Sequence, residues 1–116
     1  MNRDQLYLQD ILEAIVRIER YTAADTSVLE HDEPIQSLVL RYVQIIGEAV
    51  RGLTPELKAK HPEVPWRAIV RTRNVLVHHY FDIDVPTVRE IVERDLPALR
   101  PQIKAILDSL PKDVGA

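Results

Sequence analysis

The chain contains no cysteine. This excludes disulfides, thiolate nucleophiles and cysteine-built zinc sites, and it fits a reducing cytoplasm. No stretch approaches the run of about twenty apolar residues that a membrane span requires. The opening residues Met1-Asn-Arg-Asp-Gln5 lead into an amphipathic pattern rather than an apolar signal core, so a cytoplasmic protein is expected. There is no excess of positive charge either: the formal net charge is −3, which argues against non-specific coating of nucleic acid. Phosphate-binding loops, internal repeats and low-complexity tracts are absent, and no segment alternates with a two-residue period for long enough to make a strand. At 116 residues the sequence is one domain with a modest core. That domain is expected over residues 1–110, with 111–116 as a flexible C-terminal tail.

The sequence does carry helical periodicity throughout. Over residues 4–22, Leu8, Ile11, Leu12, Ile15 and Ile18 recur at three- and four-residue steps. Residues 23–27 read as a loop. Asp32 before Glu33-Pro34 gives an N-cap with acid and proline in the first turn. The helix that follows runs to about Val50, with Leu38, Val39, Tyr42, Ile45, Ile46 and Ala49 as its apolar stripe. Gly47 inside it costs about 1 kcal/mol against alanine, which points to close helix packing there. Thr54-Pro55 opens a short third helix, Pro65 starts a fourth over residues 66–80, and residues 85–110 form the last helical region. In that region Val88, Ile91, Val92, Leu96, Leu99, Ile103, Ile106 and Leu107 face inward, and Pro97 and Pro101 predict a kink or a break into two segments. The fold class is all-α, an antiparallel bundle of four to five helices.

Charge is unevenly spread. Residues 51–80 hold six cations (Arg51, Lys58, Lys60, Arg67, Arg71, Arg73) against Glu56 and Glu63, a local net of +4 that leaves −7 for the rest. Such a patch suits local gripping of a nucleic-acid backbone; equally, it could be a basic helix face paired with acidic neighbours. Within it lies Arg71-Thr-Arg-Asn-Val-Leu-Val-His-His-Tyr80. A guanidinium such as that of Arg73 grips phosphate with a planar fork of donors, and an imidazole such as that of His78 moves protons near neutral pH. Together they are a minimal kit for cutting a phosphodiester when the ribose 2′-hydroxyl is the nucleophile. No metal and no cofactor are needed for that chemistry.

At about 100° per residue, Tyr80 falls roughly 20° from Arg73, His78 roughly 140° from Arg73, and Asn74 roughly 40° from His78. One straight helix does not easily aim Arg73 and His78 at a single phosphate. Either the helix opens near its C-terminal end, or two copies supply groups to a common cleft. Arg71 lies about 20° from His78 and could assist or replace Arg73. His79 and His61 read as solvated, and adjacent histidines point to different faces, which disfavours a metal site. Glu48 and Asp10 could bind Arg73 or each other as scaffold. Tyr80 could stack on a base or simply end the core of its helix.

The spacing Arg73-x4-His78-x-Tyr80 resembles the signature of the HEPN superfamily of small helical ribonucleases, and within it the HepT-like toxin family. The likeness extends to Tyr7-Leu-Gln-Asp-Ile-Leu-Glu-Ala-Ile15, to Ile45-Ile-Gly-Glu-Ala-Val50, to Pro65-Trp66 and to Asp95-Leu-Pro-Ala-Leu99, and so spans residues 3–110. The resemblance implies a HEPN-like fold and a two-fold homodimer whose paired motif helices line a groove. It implies a toxin–antitoxin system in which an RNA endonuclease is partnered by a minimal nucleotidyltransferase antitoxin. It also implies that the partner transfers AMP onto Tyr80. In such an enzyme Arg73 and His78 would be catalytic, Asn74 and Arg71 supporting. Asn74 would orient His78 or donate to the phosphate, and the products would be a 2′,3′-cyclic phosphate and a 5′-hydroxyl. The competing expectation is a catalytically inactive helical binding module that docks onto the nucleotidyltransferase.

Overall fold

In the computed structural model, residues 2–23, 25–78 and 84–111 are described, with the backbone alone for 75–78. Among them every regular element is helical. Helix α1 (Arg3–Thr22) starts where the Asn2 side chain accepts the Gln5 amide at 2.8 Å. A 3₁₀ turn (Thr26–Glu30) follows, then α2 (Glu33–Gly52), the short α3 (Pro55–Lys60) and α4 (Trp66–His78). The chain resumes in α5 (Val85–Glu90), a π-helical turn (Ile91–Asp95) and α6 (Leu96–Ser109). The expected caps form: Asp32 accepts from the Ile35 amide at 3.1 Å and Thr54 from the Leu57 amide at 3.3 Å. Each satisfies an amide that the first helical turn leaves without a partner.

Helices α1 and α2 form the centre. Asp4, at the start of α1, accepts the Thr54 amide at 2.9 Å and its hydroxyl at 2.6 Å. Since Thr54 follows the end of α2, the two helices run antiparallel. Helix α6 packs on α1, also antiparallel, with Arg100 donating to Glu19 at 2.5 Å. Helix α4 packs on α2. The core runs through this array: Leu8, Ile11, Ile15, Ile18, Val39 and Ile103 are fully buried. Among the described residues, α4 and α6 leave space between them. Between them lies an apolar groove of about 450 Å³, lined by Val43, Ile46, Ile69, Ile91, Leu96 and Leu99 among others.

Of the kink or break that the two prolines of the last helical region predict, the chain shows no break, but its α-helical path is interrupted. The chain is helical from Val85 to Ser109, and the irregularity is the π turn just before Pro97. Pro97 lacks an N–H and its ring crowds the carbonyl four residues back, that of Glu93. Widening the turn resolves both, because the Leu96 amide then reaches the Ile91 carbonyl five residues back. Pro101 is absorbed within α6.

The loop expected over residues 23–27 gives way to the 3₁₀ turn, whose Leu29 is fully buried. This turn is fastened to the π turn by a polar clamp. Arg89 pairs with Glu30 and, at 3.0 Å, with Glu93, and it donates to the Thr26 hydroxyl at 3.2 Å. The Thr26 hydroxyl in turn donates to Glu93. That bond and the Arg89 guanidinium hold the Glu93 carboxyl below its ordinary value of 4.5. The Ser27 hydroxyl and amide lower Asp25 in the same way.

A carboxylate with a depressed folded-state pKa stabilises fully above its unfolded value and loses that contribution as pH falls through the folded one. Thermal unfolding should therefore show a steeper loss of Tm below about pH 4.5 in the wild type than in Glu93→Gln. Parallel profiles would mean that the clamp contributes nothing to acid stability.

Candidate active site

The geometry around Arg73 begins with a missing side chain. A Cβ built on Gly47 of α2 would lie 2.4 Å from the Arg73 Cβ and 2.5 Å from its Cγ. Only glycine lets α4 approach α2 this closely, and the arginine stem lies across the space. Its guanidinium then pairs through Nη2 with Glu48, the next residue of α2. Nη1 donates to Asn74 Oδ1 at 2.9 Å. Nε is buried and has no partner among the described residues. Glu48 also faces Arg51 at 3.6 Å, one turn further along α2.

Arg73 and Glu48 line a polar cleft of about 440 Å³ with Tyr7 and Asp10 of α1 and with Arg41 and Gln44 of α2. Tyr7 is fixed from two sides. The Arg3 guanidinium lies over its ring, 5.5 Å from the centroid, and a Cβ on Gly52 would come within 2.5 Å of the ring. Asp10 and Glu48 thus share one cleft with Arg73, and Glu48 is the one that binds it. Arg71 is exposed and does not line the cleft. Asn74 is exposed, and its amide oxygen is turned to Arg73. His61 is half-buried in a local role: its imidazole sits 3.4 Å from Glu63, and its carbonyl accepts the Trp66 indole N–H at 3.0 Å. His78 is the last residue of α4. Its imidazole, His79 and Tyr80 lie outside the described residues.

Sequence reasoning missed Arg41 and Gln44. The signal was present, since Arg41, Gln44, Glu48 and Arg51 recur at three- and four-residue steps, a polar stripe along α2 opposite its apolar one. Among the described residues, no three His, Asp or Glu side chains gather as a metal site. No helix of those residues is long and apolar enough to cross a membrane.

A small helical bundle with an arginine-centred cleft where its fourth helix meets the first two defines a class, and the family follows from comparison with known proteins. Residues 11–106 match the family model described as Ribonuclease HepT-like, so the chain belongs to that family. It is 40% identical over 95 residues to a Thermococcus cleftensis protein named "Probable ribonuclease HepT", covering 81% of this chain and 86% of that one. It is 34% identical over 108 residues to a Caldanaerobacter subterraneus protein named "Putative RNase", covering 92% of this chain and 96% of that one. It is also 36% identical over 118 aligned positions to a Methanocaldococcus jannaschii protein named "Gamma-glutamylcyclotransferase and putative RNase". That match takes in 97% of this chain but spans only 52% of the longer relative. No solved structure matches the chain.

The close approach at Gly47 sets two opposing effects against each other. Alanine in a helix gains about 1 kcal/mol over glycine, whereas overpacking costs about 1–3 kcal/mol. The clashing atoms are the Cβ and Cγ of Arg73, next to the α4 backbone, and cannot swing aside. Gly47→Ala is therefore expected to lower stability in urea unfolding and to weaken any RNA binding that depends on Arg73. A variant as stable as the wild type would show that α4 tolerates displacement.

Proposed function

We propose that this chain is a ribonuclease toxin that cleaves RNA with Arg73 and His78 and needs no metal, because the nucleophile comes from the substrate. The observation that carries this reading is the placement of Arg73, held in a cleft by Glu48 and Gly47 on the helix that ends at His78. The names of the relatives support its ribonuclease part. In the reaction an imidazole takes the proton of the 2′-hydroxyl, and the 2′-oxygen bonds to phosphorus. The bond to the 5′-oxygen breaks, and that oxygen receives a proton. The products are a 2′,3′-cyclic phosphate and a 5′-hydroxyl. Arg73 offsets the charge that develops on the phosphoryl oxygens. The reading takes residues 1–110 as the single working domain, acting in the cytoplasm.

The roughly 140° between Arg73 and His78 on one helix is met by a two-fold homodimer in which each copy supplies groups to a shared groove. The open seam beside α4, with its apolar lining, supports an interface that includes this helix. Control is assigned to a minimal nucleotidyltransferase antitoxin that transfers AMP to Tyr80. An added phosphate about 6 Å from the RNA phosphate, at an effective dielectric near 20, costs about 3 kcal/mol, roughly a hundredfold in binding.

A second reading has an observation of its own. Arg73 already shares its charge with Glu48 and bonds Asn74, as it would in a catalytically inactive binding module that docks on the nucleotidyltransferase.

RNA cleavage assays separate the two. His78→Ala and Arg73→Ala should abolish cleavage with the helical circular-dichroism signal intact, while Arg71→Ala should weaken binding and leave measurable cleavage. A fully active His78→Ala would reject this site, and an inactive wild type would favour the binding module.

Tyr80→Phe should still cut RNA, accept no AMP after co-expression with the nucleotidyltransferase, and resist neutralisation by it. Mass spectrometry placing the added mass on Tyr7, Tyr21 or Tyr42 would overturn the switch.

Sedimentation should give a dimer. A monomer that still cleaves RNA would overturn the shared groove.

A further inference from the structure

The cleft beside Arg73 carries more hydrogen-bonding capacity than the fold uses. Asp10, Arg41 and Gln44 line it, and none of these side chains makes a hydrogen bond or ion pair among the described residues. Asp10 and Arg41 have opposite charges in the same cleft, yet no ion pair joins them, so space is left between them. Glu48 is committed to Arg73. The two acids and two arginines of the lining cancel in formal charge, which leaves little attraction for a second phosphate. At about 440 Å³ the cleft falls in the range of about 300–1,000 Å³ typical of small-molecule sites. Tyr7 and Ile45 supply apolar wall. A neutral, flat ligand with a donor edge beside an acceptor edge fits this lining.

We propose that the cleft is a base-recognition subsite selecting guanine beside the phosphate held by Arg73, an inference that rests on the ribonuclease reading above. Guanine sets N1–H and N2–H side by side, and a carboxylate such as that of Asp10 accepts both at once. Its O6 and N7 are adjacent acceptors, which a guanidinium such as that of Arg41 engages bidentately. Adenine and cytosine place a ring-nitrogen lone pair next to their amino group, facing a carboxylate with repulsion. Uracil places its one ring N–H between two carbonyl oxygens. The Gln44 amide, both donor and acceptor, completes whichever edge remains. Bases in single-stranded RNA present these edges freely, as those in a duplex do not.

The test is mapping of 5′-hydroxyl ends on a mixed-sequence RNA cut by the full-length protein, together with anisotropy binding of 2′-O-methyl oligonucleotides that carry one G, A, C or U. The wild type should favour guanine at one fixed position next to the cut, and it should bind the G oligonucleotide about tenfold or more tightly, the discrimination one bidentate pair provides. The near-isosteric Asp10→Asn should bring the G oligonucleotide down to the others, and Arg41→Gln should do so in part. The binding arm does not depend on cleavage. Guanine-selective, Asp10-dependent binding without any cutting would sink the ribonuclease reading and keep the subsite. Cutting without a base preference would overturn the subsite alone, as would a preference that both variants retain.

Discussion

The rest of the site depends on the absence of one Cβ. With hydrogen alone at residue 47, α4 comes close enough to α2 for the stem of Arg73 to lie across it, and the guanidinium emerges beside Glu48. Any larger residue would push α4 outward and separate the charge from its partner. The contact therefore does two things at once. It sets the spacing of two helices, and it aims a cation into a cleft that α1 completes from the far side through Tyr7 and Asp10.

That arrangement is not the one that stability alone would favour. Arg73 is only 22% exposed, so its charge is largely removed from water and relies on Glu48. Removing one member of such a pair leaves an uncompensated charge. Among the described residues its Nε is buried without an acceptor, a defect that costs about 1–3 kcal/mol. The remainder of the molecule is conventional by contrast. Capped helix starts, an aliphatic core along α1 and an exposed clamp from Arg89 to Glu30 and Glu93 hold the bundle together.

Much of this was legible in the residues. The caps at Asp32 and Thr54 formed because the side-chain oxygen accepts a first-turn amide and the proline at N1 or N2 has no N–H left to satisfy there. In the inward stripe of the last helical region Val88, Ile91, Val92, Leu96, Leu99, Ile103 and Ile106 are buried, while Leu107, near the end of α6, is only partly so. The 3₁₀ turn was not legible, since Val28-Leu29 is too short a run to show a period. Nor was the π turn, because proline signals that an α-helical bond is lost but not how the chain makes up for it. In the site, Gly47 announced a close approach without naming Arg73 as the neighbour. The glutamate after it was a candidate partner from the start. Arg41 and Gln44 were overlooked because a polar stripe on a helix is ordinarily read as solvated surface.

The incomplete enclosure of α4 has a consequence for how the molecule breathes. Helix α1 is flanked by α2 and α6 and buries six residues, whereas α4 rests mainly on α2. Among its described side chains only Trp66, at the first residue, is buried. Protection of backbone amides from exchange follows the local density of apolar contacts. Over residues 67–74 the amides of α4 are therefore expected to exchange with solvent before those at the centre of α1. Over its described side chains the helix bearing the arginine of the cleft is more lightly held than α1, and whatever packs against its open side adds to its local stability.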